Sequence, residues 1–194
     1  MKIPFPLLLL LISIAPAAAQ PPDALSRSNT ETVKCRDLLK KTAYAEAETI
    51  CRSALALALA LPARKKAERL AAYENYGLGL YFQEKYESAE LNFKKALDFG
   101  QSLPAHSPAV GNVYFNLGRT NQKMEELDRA EEYFLAAENV YRKAYLKTAS
   151  RKLKKDYRDY IGTLLMLRSA IASQLGDVKK QKEIQTAIKG LSRM

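Results

Sequence analysis

The chain has 194 residues, 27% of them charged and 47% hydrophobic, with a formal net charge of +10. That length suffices for one domain with a real core, and the charge favours acidic partners or anionic surfaces. No nucleic-acid-binding motif accompanies the charge, and no stretch after the N-terminal run is apolar for long enough to cross a bilayer.

The first residues are expected to be a signal peptide, residues 1–19. Met1 and Lys2 precede an apolar run from Phe5 to Ile14, and Ala17, Ala18 and Ala19 supply a small-residue cleavage site. The rival reading is an uncleaved anchor. Cleavage after Ala19 leaves 175 of the 194 residues and removes Lys2, for a charge of about +9. The expected location is the periplasm, or otherwise outside the cell. Residues 20–30, rich in Pro and Ser, read as a flexible leader.

From about Thr32 onward the sequence is helical in period, with abundant Ala, Leu, Lys and Glu and none of the β-branched clusters of strands. Breakers are few and spaced: Pro62, Pro104, Pro108 and Gly176. They divide residues 31–194 into four helical hairpins, about 31–60, 66–101, 108–149 and 153–191. The fold class is all-α.

Two segments align without gaps at a shift of 41 residues. The first carries Tyr73, Gly77, Ala89, Phe93 and Ala96; the second carries Tyr114, Gly118, Ala130, Phe134 and Ala137. Gly lets the two helices of a hairpin approach, Ala faces it, and the aromatic is expected to fill the space between neighbouring hairpins. One hairpin leaves an apolar face uncovered, so hairpins must stack. Upstream, Tyr44, Ala47, Cys51 and Ala54 repeat the second half of the pattern, and Cys35 stands where Gly is expected. Downstream, Gln181 and Gln185 replace the small and aromatic residues, which suits a polar cap at the end of a stack.

These residues resemble the tetratricopeptide repeat (TPR), in the long-repeat subtype of kinesin light chains. The resemblance implies a TPR-type solenoid of about four hairpins and a concave groove lined by the first helix of each. On the second repeat its groove positions fall on Glu74, Asn75, Leu78, Tyr81 and Phe82. On the third they fall on Asn112, Phe115, Asn116, Arg119, Gln122 and Lys123. The weaker first repeat offers Val33, Arg36, Leu39 and Lys40. Asn75 and Asn116 share one position, where the resemblance implies an amide gripping the backbone of a bound peptide; Arg119 suits a carboxylate.

Cys35 and Cys51 are equidistant from the turn expected at Thr42 and Ala43, so they should face each other across the first hairpin. A disulfide is the expected outcome in an exported chain, and a pair of buried thiols is the alternative. No catalytic or cofactor motif is present, and the lone His106 lacks neighbours at metal-ligand spacing, so no enzyme, cofactor or metal is expected. Ser107 and Pro108 suit the start of a helix, by side-chain capping and by fixed φ. Glu125, Glu126, Asp128, Glu131 and Glu132 read as solvated charges at a helix start.

A second surface is electrostatic. Arg142, Lys143, Lys147, Arg151, Lys152, Lys154, Lys155 and Arg158 crowd one connection, and Arg64, Lys65, Lys66 and Arg69 crowd another. The leading expectation is a binding scaffold holding a segment of another protein. The alternatives are an anionic membrane or polymer met through the basic edge, or an immunity or inhibitor protein for an exported enzyme. The sequence names neither the partner nor an oligomeric state.

Overall fold

The structure is a computed structural model and describes residues 24–193. The signal peptide expected at residues 1–19 lies outside the described residues. Among the described residues eight α-helices follow one another: α1 (Ala24–Lys40), α2 (Tyr44–Ala60), α3 (Lys66–Tyr81), α4 (Tyr86–Gly100), α5 (Pro108–Lys123), α6 (Leu127–Lys147), α7 (Arg151–Gln174) and α8 (Val178–Gly190). They pair as four hairpins, α1/α2, α3/α4, α5/α6 and α7/α8, and each hairpin packs on the next through α2/α3, α4/α5 and α6/α7. The first helices form one layer, with α3 touching both α1 and α5, and the second helices form the other. The fold is a TPR-type all-α solenoid.

Every hairpin turns in the same way. The first helix ends at a residue with left-handed backbone: Thr42 (φ 60°), Glu84 (61°), Glu125 (63°) and Gly176 (70°). In each case its N–H donates to the carbonyl three residues back, and the next N–H reaches five residues back, as in Ala43 to Leu38, Lys85 to Leu80, Glu126 to Asn121 and Asp177 to Ala172. This is the Schellman arrangement, and it satisfies the carbonyls a helix end leaves open. Only the last turn uses glycine, which adopts this conformation without strain.

The repeat residues come together in each hairpin, but the ring rather than the alanine comes nearest the glycine. Phe93 and Phe134 are fully buried, as are Ala89 and Ala130. A Cβ on Gly77 would lie 2.6 Å from the Phe93 ring, and one on Gly118 2.5 Å from the Phe134 ring. The rings therefore sit in backbone notches that no larger residue leaves open. They pack within the hairpin as well as against the neighbouring one. In the first hairpin the equivalent residues are joined covalently: Cys35 and Cys51 form a disulfide with Cα atoms 5.0 Å apart.

Three expectations need correction. Helix α1 starts at Ala24, so residues 24–30 are the start of the fold and no flexible leader; Ser28 is already buried there. Tertiary packing of α1 on α2 and α3 extends a helix whose polar sequence concealed it. Ser107 makes no side-chain cap, and α5 instead starts from Pro108 in its first turn. Glu131 is buried, not solvated. It and Glu138 share one face of α6 and clasp Arg168 of α7, whose Nη2 lies 2.9 Å from Glu131 and whose Nη1 donates to Glu138. Burial opposes the charge of Arg168, but the two carboxylates outweigh it and hold its pKa above the ordinary value.

Candidate functional site

The layer of first helices presents most of the residues that the repeat pattern places in a groove. Their exposures differ. Asn112 and Lys123 are exposed; Leu78, Phe82, Phe115 and Arg119 are half-buried; Asn75, Tyr81 and Asn116 are buried. Tyr81 belongs to the core around Phe93 and Leu117. Phe82 stacks on Tyr44 of α2, with ring centroids 4.8 Å apart, and so seals the first two hairpins together.

The polar groups of this face are already engaged with one another. The Arg119 guanidinium carbon sits over the Tyr81 ring at 4.7 Å, 5.7 Å from the Phe115 ring, and its Nη2 donates to the Tyr81 hydroxyl at 3.2 Å. The stack fixes a guanidinium that the sequence left free to meet a carboxylate. Asn116 donates from Nδ2 to Oε1 of Glu74 at 3.1 Å, which links α5 to α3. Its amide thus holds a neighbouring repeat, a demand that the repeat pattern does not foretell.

Beyond Asn112 stands a group of tyrosines. The Tyr141 hydroxyl of α6 donates to Oδ1 of Asn112, and its ring packs against Gly111, where a Cβ would come within 3.0 Å of it. Tyr160 stacks on Tyr141 with centroids 5.0 Å apart, and Tyr157 sits 6.2 Å away at a tilt. Tyr160 remains 51% exposed. Burial, then Tyr160, Glu74 and Tyr157, push the Tyr141 hydroxyl well above its usual range. This group escaped the sequence reading. The i, i+3 spacing of Tyr157 and Tyr160 was its one signal.

Glu74 occupies the middle of the layer. Its carboxyl is lifted to about 7, because burial disfavours the charged form; Arg36 of α1 opposes the shift.

The basic edge is reduced by the fold. Arg69 donates to the carbonyls of Leu59 and Leu61, Lys65 pairs with Glu68, and Arg142 with Glu138. A compact basic shelf stands at the α6–α7 elbow, formed by Arg151, Lys152, Lys154, Lys155 and Arg158 around Tyr145; Lys155 pairs with Asp159 at 3.3 Å, and the Lys154 ammonium lies 5.2 Å from the Tyr145 ring. Leu146 beside it is 78% exposed. Among the described residues no group of His, Cys, Asp and Glu is arranged to hold a metal, and no helix is long and apolar enough to cross a membrane.

No family model matches the sequence, and neither does any curated protein. Solved structures do resemble the fold. The apo form of RapI superposes with a TM-score of 0.71 at 12% identity, over 87% of this chain and 43% of that one. Aspartyl phosphate phosphatase F from Bacillus subtilis gives 0.72 at 16% identity, over 88% and 41%. The chain thus spans less than half the length of these two proteins. A protein of nearly identical kinesin light chain TPR-like repeats from Podosopora anserina gives 0.56 at 12% identity, over 86% and 95%. By fold, the chain is a TPR-type α-helical repeat protein.

Proposed function

We propose that the chain is a non-catalytic binding scaffold, exported from the cell, whose layer of first helices holds an extended segment of a partner protein. The observation that carries the reading is the pre-organised inner face. Asn112, Asn116, Glu74 and Arg119 are each fixed by a bond or stack to another element, so little side-chain freedom is lost when a segment docks. The fold supports it too, since stacked hairpins create an extended concave surface. Export is supported by the sequence of residues 1–19 and by the Cys35–Cys51 disulfide, a bond that persists in oxidising compartments.

A second reading rests on the elbow. Five cations around Tyr145, beside the exposed Leu146, suit an anionic membrane surface or polymer. One experiment separates the two. The chain from Gln20 is immobilised and offered periplasmic or secreted proteins, beside an Asn112→Arg/Lys123→Glu variant and a Lys152→Glu/Lys155→Glu variant. The scaffold reading expects one discrete partner, lost only with the first variant. A partner lost only with the second variant assigns the function to the elbow.

A further inference from the structure

Glu74 is an anomaly on this face. Glu74 as a residue is half-buried, but its carboxyl is largely withdrawn from water, and among the described residues its one hydrogen-bond donor is the neutral amide of Asn116 on α5. An ionised carboxylate has room for about four such bonds. Arg36 of α1 attracts the carboxyl, yet no ion pair joins the two. On α5, Asn112 is neutral and engaged by the Tyr141 hydroxyl, while the charge of Arg119 is held on Tyr81. From α6 comes the neutral Tyr141 hydroxyl, which senses the charge of Glu74. Behind it stand the rings of Tyr157 and Tyr160. A desolvated acid with unused acceptor sites, next to aromatic faces, is the surrounding that a guanidinium or ammonium group seeks.

We propose that Glu74 is the recognition point for a basic side chain, an arginine or lysine, of the segment held on the inner face. The inference rests on the scaffold reading and names the chemistry of its partner. A cation entering beside Glu74 supplies both the missing donors and the missing charge. It restores the ionised form that burial disfavours, so binding releases a proton when the free carboxyl is protonated. With the free carboxyl near 7, binding strengthens as pH rises through that value and weakens below it. The preference is local, since the chain as a whole is basic and does not draw cations to itself.

The test uses peptide pools of about nine residues, acetylated and amidated, with uncharged randomised flanks and the central residue fixed as Arg, Lys, Gln or Glu. Each pool is offered to the immobilised chain at about pH 8 and about pH 5.5. At the higher pH the Arg and Lys pools should be retained roughly tenfold above the Gln and Glu pools, a difference of about 1.4 kcal/mol. The preference should shrink at the lower pH. Glu74→Gln should abolish it while melting like the native chain at about pH 5.5, and Glu132→Gln, an exposed carboxylate on α6, should preserve it. Equal retention of the Arg and Gln pools, or a preference that survives Glu74→Gln, overturns the inference. If all pools bind equally and Asn112→Arg releases them, the groove stands and the role of Glu74 falls; if no pool binds, both fall.

Discussion

Each hairpin contains one equivalent pair, seven residues before its left-handed turn residue and nine after it. In the two middle hairpins the pair is a glycine notch and a ring, Gly77 with Phe93 and Gly118 with Phe134. In the first hairpin it is the Cys35–Cys51 disulfide. In the last it is Ser169 and Gln185, and Gln185 is exposed. The middle hairpins have neighbours on both sides and bury their ring completely. The terminal ones have a single neighbour each and less apolar area to gain. The first hairpin compensates with a covalent link. The last compensates with the Glu131–Arg168–Glu138 clasp onto α6. One architecture is thus held by three kinds of force, chosen according to position in the stack.

The largest effect is expected at the clasp. Arg168→Ala leaves two buried carboxylates without a counter-charge and should cost about 3–5 kcal/mol in a denaturant titration. Replacing the three residues together by Met, Leu and Met should cost far less, because no buried charge is then left unpaired. Loss of the disulfide through Cys35→Ser/Cys51→Ser comes next, at about 3 kcal/mol, since the bridge closes a loop of 16-residue separation. Hydrogen exchange should show the loss concentrated in α1 and α2.

Gly118→Ala should cost about 1–3 kcal/mol by forcing the Phe134 ring from its notch, whereas Ser169→Ala at the equivalent place in the last hairpin should stay within about 0.5 kcal/mol. Equal losses at the two sites break the comparison. One modest effect has the opposite sign: Glu125→Gly should raise stability by up to about 1 kcal/mol, because glycine takes the left-handed conformation without the strain Glu125 bears (φ 63°). Thermal melts of the single variants decide both.

The middle of the molecule was legible in the sequence because its packing is written in residue size. Gly77, Ala89 and Phe93 recur as Gly118, Ala130 and Phe134, and the spacing brings them into one hairpin, though it does not show that the ring fills the glycine notch. The disulfide was legible through spacing too, since Ala43 lies midway between Cys35 and Cys51. What escaped depends on contacts between helices distant in sequence. Glu131 looks solvated until Arg168, 37 residues on, is packed against it. The early start of α1 belongs to a helix that packs on both α2 and α3. On the candidate face, the repeat pattern located Asn116 and Arg119 but not their bonds to Glu74 and Tyr81, which arise only when adjacent hairpins dock. The tyrosine group around Tyr141 needs three elements at once and has no compact motif.

The central claim is that the layer of first helices is the working surface, and a photo-crosslinking amino acid placed on either side of the solenoid tests it most directly. The chain would be expressed in its own host with the crosslinker at Asn112 or Tyr160 on that layer, or at Leu91 or Leu135, exposed on the second helices. One discrete protein adduct is expected from Asn112 and Tyr160, and none from Leu91 and Leu135. Adducts from the second helices alone, or from the two faces alike, would contradict that claim.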